Sequence, residues 1–254
     1  MLQKRLKQFY DRQPLGIKKL IKRIYGWPAA IPFTKANQKS RWINQVYGKF
    51  GQDQRRFIFL SIARFGIINR PINGYYFEFG CFGGKTMKMA WDTFRWLFDF
   101  TYVAFDSFEG LPEIQKIDQQ AIWQNGKLKV SEESFAQDML KHGLPIDRFF
   151  TAKGFYEDSL TPALKEKLLP QKAAVIYIDC DLYTSTVPVL EFIKDFLQRG
   201  TIIVFDDWNC FHGDPEKGER LAFKQFREKY PCLRFEKFVS TNEGQAFIFL
   251  GEQY

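Results

Sequence analysis

From residue 75 onward, short apolar runs alternate with longer amphipathic stretches. The runs at 75–79, 102–105, 149–152, 174–178, 201–205, 234–239 and 245–250 have the length and the β-branched and aromatic content of strands. Between the first five lie stretches with helical periodicity, at 86–98, 132–142 and 187–197. Strands alternating with helices of this length predict right-handed βαβ units and a mostly parallel sheet. The last two runs flank a loop with Asn242 and Gly244, which predicts an antiparallel hairpin at one sheet edge. The expected fold is therefore a Rossmann-like α/β architecture with seven strands. Upstream, a polar helical stretch ends near Gly66. Residues 1–27 read as one or two short helices broken near Pro14 and Gly16, with an apolar stripe of Leu15, Ile17, Leu20, Ile21 and Ile24. The pattern divides the chain into a helical leader or cap at 1–66 and an α/β domain at 67–254.

Composition narrows the class. With 254 residues, 45% hydrophobic and 18% aromatic, the chain has ample material for one α/β core, and its 28 phenylalanines read mainly as core and pocket wall. No apolar run is long enough for a membrane span. The basic N-terminus lacks the apolar segment of a secretory signal. Cys81, Cys180, Cys210 and Cys232 are scattered, which suits reduced thiols and a cytoplasmic setting better than disulfides or a zinc site. The net charge of +8 is concentrated at the front. Residues 1–50 hold twelve Lys and Arg against the single acid Asp11, whereas the other 204 residues hold 25 bases and 28 acids. A nucleic-acid enzyme carries its basic surface on the catalytic domain, so no nucleic-acid partner is expected. The basic leader predicts packing on its own domain or on a second subunit of a homodimer, with weak contact to anionic membrane surface through residues 1–27.

Candidate chemistry collects where such folds bind ligands, beyond the C-terminal strand ends. The first run leads into Glu78-Phe79-Gly80-Cys81-Phe82-Gly83-Gly84-Lys85-Thr86. Only three residues separate Gly80 from Gly84-Lys85-Thr86, one too few for a phosphate-binding P-loop, and the spacing also fails the dinucleotide fingerprint. An E-x-G-x-x-x-G loop of an adenosylmethionine enzyme fits Glu78, Gly80 and Gly84; a plain structural turn is the alternative. Asp106, ending the second run, is positioned to accept ribose hydroxyls or to cap a helix. The fourth run ends in Asp179-Cys180-Asp181 and the fifth in Asp206-Asp207-Trp208. If those strands are neighbours, several carboxylates crowd one crevice, which raises their pKa values unless a cation is present. Oxygen donors alone suit Mg²⁺ rather than zinc. His212 reads as a surface-loop residue close to the aspartate pair.

Together these blocks resemble the macrocin O-methyltransferase family of class I methyltransferases. The resemblance rests on 77–84, on Phe105-Asp106-Ser107-Phe108-Glu109-Gly110-Leu111-Pro112, on Lys153-Gly154-Phe155-Tyr156-Glu157-Asp158-Ser159-Leu160, on 179–186 and on 206–208. It implies an enzyme that methylates a hydroxyl of a small molecule, a sugar of a glycosylated natural product, using S-adenosylmethionine and Mg²⁺. It further implies metal ligation by Asp179, Asp206 and Asp207, with Asp181 as a substitute, and proton acceptance by Asp179 or Asp206. Glu78, Phe79, Gly80, Gly84, Asp106, Ser107, Phe108, Gly154, Phe155 and Asp158 would surround the cofactor. The family's Asp-Gly-Asp is Asp179-Cys180-Asp181 here, and Gly83 stands where the family has a basic residue. Two other readings share the residues: a catechol-type O-methyltransferase, favoured by aromatic walls, and a non-catalytic nucleotide-binding scaffold.

Overall fold

The computed structural model describes residues 35–70 and 72–253, together with Tyr10, Gln13, Pro14, Gly16 and Ile17. Two units form, Met1–Arg55 and Arg56–Tyr254. In the first, α1 (Lys35–Trp42) runs into a π-helical turn at Ile43–Tyr47, and the rings of Trp42 and Tyr47 stack at 5.7 Å, both exposed. Helix α2 (Gly48–Ile68) belongs to the second unit from Arg56 onward, where Ile58, Phe59, Ile62 and Ala63 are buried at helical spacing. That apolar face lies in the part of the helix that belongs to the second unit. Apart from the exposed Ile17, the leader's expected stripe (Leu15, Leu20, Ile21, Ile24) lies outside the described residues.

The second unit is built on a seven-stranded sheet in the order β3-β2-β1-β4-β5-β7-β6. Strands β1 (Tyr75–Phe79), β2 (Thr101–Asp106), β3 (Phe149–Lys153), β4 (Ala173–Ile178) and β5 (Ile202–Phe205) pair in parallel. Strand β7 (Gln245–Glu252) lies antiparallel between β5 and β6 (Leu233–Ser240), which is the expected edge hairpin. The connections carry α3 (Lys85–Phe94), α4 (Glu132–His142), α5 (Tyr156–Ser159), α6 (Pro162–Leu168), α7 (Tyr183–Ile193) and α8 (Gly218–Lys229).

Every residue of β1, β4 and β5 is buried, the continuous burial that a parallel sheet covered on both faces requires. Alternation sends Tyr76, Tyr102 and Tyr177 to one face, with Phe59 and Phe94, and Phe77, Phe79 and Phe105 to the other, with Phe192 and Phe196. Phe79 stacks on Phe105 at 4.3 Å. Most of the phenylalanine excess thus serves core packing, each buried ring contributing about 1.5–3 kcal/mol. Helix α7 begins at Tyr183, earlier than the expected 187, and keeps Pro188 inside. Its N-cap residue Leu182 offers no side-chain cap; a carboxylate distant in sequence supplies one instead.

Candidate active site

Strand order reverses between β1 and β4, so the loops that follow them meet at one crevice. Gly80 makes the approach feasible. Its φ is +84°, and a Cβ there would lie 1.9 Å from the Asp179 carbonyl oxygen. Gly84, at φ +65°, opens α3, and a Cβ would press on Met139 at 2.3 Å. Gly83 faces open space at an ordinary φ, so a longer side chain would be accommodated here. Gly80→Ala is therefore expected to destabilise by at least about 3 kcal/mol, and Gly83→Lys by no more than about 0.5 kcal/mol. Denaturant melts of the two variants decide this; equal stability would remove the steric account of the loop.

Asp106 holds the same loop from the β2 side. Its Oδ2 accepts the backbone N–H groups of Cys81 (2.7 Å) and Phe82 (3.0 Å), and its Oδ1 accepts that of Phe108 (2.7 Å). This carboxylate shapes the loop, and it also lines a cavity of about 420 Å³. Of the expected cofactor residues, Gly80, Asp106, Ser107, Gly154, Phe155 and Asp158 line that cavity. Glu78, Phe79, Gly84 and Phe108 do not. Strand alternation turns Glu78 into the interior, fully buried, where it accepts the Tyr76 hydroxyl at 2.5 Å. Phe79 is in the core, and Phe108 packs on Phe135 at 5.4 Å. The cavity's aromatic lining is limited to Phe82, Phe155 and Tyr156, so the aromatic wealth of the chain does not make an aromatic slot.

At one end of the cavity stand Asp179 and Asp181, and beside them Asp207. One carboxylate oxygen from each of the three lies within 4.8 Å of the others. Parallel pairing of β4 with β5 brings the two aspartate motifs together, as the sequence implied. Of the expected ligands, Asp179 and Asp207 belong to this group, together with the expected substitute Asp181. Asp206 is almost fully buried, and its Oδ1 accepts the Tyr177 hydroxyl, while Asp181 completes the group. The reason is local: Asp181 adopts φ +62°, a left-handed conformation that Asp tolerates, and its N–H donates to Asp207 Oδ2 at 3.2 Å. Cys180 has no positive φ, and its thiol lies 3.8 Å from the Phe79 carbonyl. Burial, then the neighbouring Asp207 and Asp206, push the Asp181 carboxyl well above the carboxylate range.

Two buried carboxylates next to the acidic motifs were not legible in the sequence. Glu219, in the first turn of α8 and 1% exposed, accepts the Asp207 N–H at 3.0 Å through Oε2. Its carboxyl is also held high by burial and by Asp207, Asp206 and Asp181. Asp118, fully buried, caps α7 immediately beyond the acidic motif. Neither belongs to a motif; only the fold brings them to the crevice. His212 is exposed on its loop, as expected.

Comparison with known proteins identifies the fold and the family. The chain is 33% identical over 109 residues to 8-demethyl-8-(2,3-dimethoxy-α-L-rhamnosyl)-tetracenomycin-C 4′-O-methyltransferase of Streptomyces olivaceus, a match spanning 41% of the chain and 40% of that relative's length. Among solved structures, the O-methyltransferase NovP superposes with a TM-score of 0.62 at 21% identity, covering 78% of this chain and 80% of that one. The calicheamicin methyltransferase CalS11 gives 0.61 at 18% identity, covering 97% and 90%. These likenesses establish the class I methyltransferase fold. No helix among the described residues is long and apolar enough to cross a membrane. With the model of the family described as Macrocin-O-methyltransferase (TylF) matching residues 35–231, the chain belongs to that family of O-methyltransferases.

Proposed function

We propose that the protein transfers a methyl group from S-adenosylmethionine to a hydroxyl of a small molecule, a sugar hydroxyl of a glycosylated natural product, with Mg²⁺ at the acidic group. One observation carries this reading: Asp179 and Asp181 belong both to the cavity wall and to the three-carboxylate cluster, so donor pocket and cation site share residues. The relative from Streptomyces olivaceus, named for methylation of a rhamnosyl group, supports a sugar acceptor.

The residues fit both groups. A cavity of about 420 Å³, floored by Gly80 and walled by Asp106, Ser107, Gly154, Phe155 and Asp158, matches a nucleoside bearing a short charged tail. An all-oxygen donor set, in which burial and then the neighbouring Asp207 push the Asp181 carboxyl upward, matches a hard divalent cation. Asp179, Asp181 and Asp207 would hold the cation, which when bound would supply Lewis acidity to make an acceptor hydroxyl a better nucleophile. We assign the proton-accepting role to Asp179, supported by its position on the cavity wall. Asp206, bonded to Tyr177, supports the cluster from beneath rather than meeting the acceptor. Asp181 takes the ligand role beside Asp179 and Asp207. The limited aromatic lining weakens the catechol-type reading, and a pure scaffold has no need of the carboxylate cluster.

Titration of the purified chain with labelled adenosylmethionine, with and without Mg²⁺, tests the proposal. S-adenosylhomocysteine at 100 times its Kd is expected to stabilise the fold by about 2.7 kcal/mol, with ATP and NAD inert. Turnover is expected to cease in EDTA and return with Mg²⁺. An equal thermal response to ATP would sink the methyltransferase assignment, and full activity in EDTA would remove the cation from it.

A further inference from the structure

Between β2 and α4 runs a long connection, residues 107–131, that contains no element beyond the turn Lys116–Asp118. It is nonetheless closely built. The Leu111 N–H donates to the Lys127 carbonyl and the Gly126 N–H to the Leu111 carbonyl, both at 2.9 Å, closing the segment on itself. The Ile114 N–H donates to Asn125 Oδ1 at 3.1 Å, and Ser107 Oγ donates to the Gly110 carbonyl at 2.8 Å. Gly110, at φ +90°, is obligatory because a Cβ would lie 2.5 Å from the Lys127 carbonyl oxygen. Ser107, Gly110, Leu111, Pro112, Gln115 and Leu128 from this one segment line the cofactor cavity.

The segment is fastened at its middle by Asp118. That side chain is fully buried. Its Oδ1 accepts the Tyr183 N–H at 2.7 Å, and its Oδ2 accepts the Thr184 N–H at 3.2 Å and the Thr184 hydroxyl at 2.7 Å. These donors are the first residues of α7, which starts one residue, Leu182, after Asp179-Cys180-Asp181. A buried carboxylate on a helix N-terminus is bound by charge-assisted hydrogen bonds and by the helix dipole. Lys217 adds a second fastening, its Nζ donating to the Ile117 carbonyl at 3.2 Å.

We propose that residues 107–131 form a strap across the donor cavity and that Asp118 is its latch, a positioning residue that couples the cavity wall to the helix carrying the acidic motif. Asp118 touches neither the cavity nor the reacting atoms; it acts through the strap and through α7. Opening the latch lowers the fraction of molecules with a formed donor pocket, and the apparent cofactor Kd rises by the reciprocal of that fraction. The inference rests on the proposed cofactor reading for its binding readout, but not for its proteolysis readout.

The test uses the full chain with Asp118→Ala, Asp118→Asn and Thr184→Val. Tryptic cleavage at Lys116, Lys127 and Lys129 is followed with and without S-adenosylhomocysteine, alongside calorimetric titration of that ligand. Asp118→Ala is expected to raise both the cleavage rate within the strap and the ligand Kd by about tenfold or more. Asp118→Asn, which keeps one acceptor oxygen, is expected to recover part of both. Thr184→Val removes the hydroxyl donor while leaving the strap sequence intact, and a smaller shift in the same direction is expected; it serves if Asp118→Ala does not fold. In steady state the effect falls on KM for the donor more than on kcat, whereas general destabilisation lowers the active fraction without that split. Folded variants with unchanged strap cleavage and unchanged Kd overturn the latch. If the unaltered protein itself fails to bind S-adenosylhomocysteine, the cofactor reading is overturned, and strap cleavage alone decides the latch.

Discussion

Asp179→Asn is expected to reduce methyl transfer by more than about 100-fold while leaving S-adenosylhomocysteine affinity within a few-fold, because on the proposed reading it is a primary oxygen ligand, which should matter more than the outer-shell partners whose loss costs about 10–100-fold. The side chain stands where cavity and cluster meet, and amide substitution keeps its shape while removing one charge. Asp181→Asn should also lose cation-dependent turnover, yet stabilise the cation-free protein. The folded state raises the Asp181 pKa through burial and the charges of Asp207 and Asp206. A raised folded pKa means that the native state holds this proton more tightly than the unfolded chain does. Stability is therefore present below the unfolded value of about 3.9 and declines as pH rises above it. Asparagine removes that decline and accepts the left-handed backbone at this position. In EDTA at neutral pH, a gain of about 1–2 kcal/mol, or roughly 2–8 °C in Tm, is expected. Calorimetry in EDTA and in Mg²⁺ reads both effects; a destabilised Asp181→Asn in EDTA would show that repulsion within the cluster is already offset.

The second large effect is expected at Asp106. Alanine there orphans three backbone N–H groups, those of Cys81, Phe82 and Phe108, each costing about 1–3 kcal/mol where water does not replace the acceptor. The same substitution strips a carboxylate from the cavity wall. Asp106→Ala should lower Tm markedly and raise the S-adenosylhomocysteine Kd by more than about 100-fold, the equivalent of some 2.7 kcal/mol. Asp106→Asn should be only partly better, since its amide nitrogen must face backbone donors at one oxygen position. Thermal melts by circular dichroism and isothermal titration separate the two contributions. Normal cofactor binding by a destabilised Asp106→Ala would leave Asp106 as a loop staple alone.

The period of the apolar pattern determined the fold by itself. Strand runs buried on both faces must be largely apolar, and amphipathic runs between them must return on the sheet, so β1 to β5 and the edge hairpin followed from sequence. The aspartate motifs at the ends of β4 and β5 were legible for the same reason, since strand ends mark the crevice. The sequence also carried the distinctive block from Phe105 to Pro112. What tertiary structure alone decided was which side chains face that crevice. A one-residue alternation turned Glu78 inward to Tyr76, Asp206 accepts the Tyr177 hydroxyl, and the three-carboxylate group is Asp179, Asp181 and Asp207. Asp118 and Glu219 carried no local signal, because their partners at Tyr183, Thr184 and Asp207 are distant in sequence. The early start of α7 has the same origin, a cap delivered from a remote segment that no window of neighbouring residues contains. Periodicity is a local property of the chain and could be read directly; hydrogen-bond partnership between segments is a property of the folded state, and only the fold assigned it.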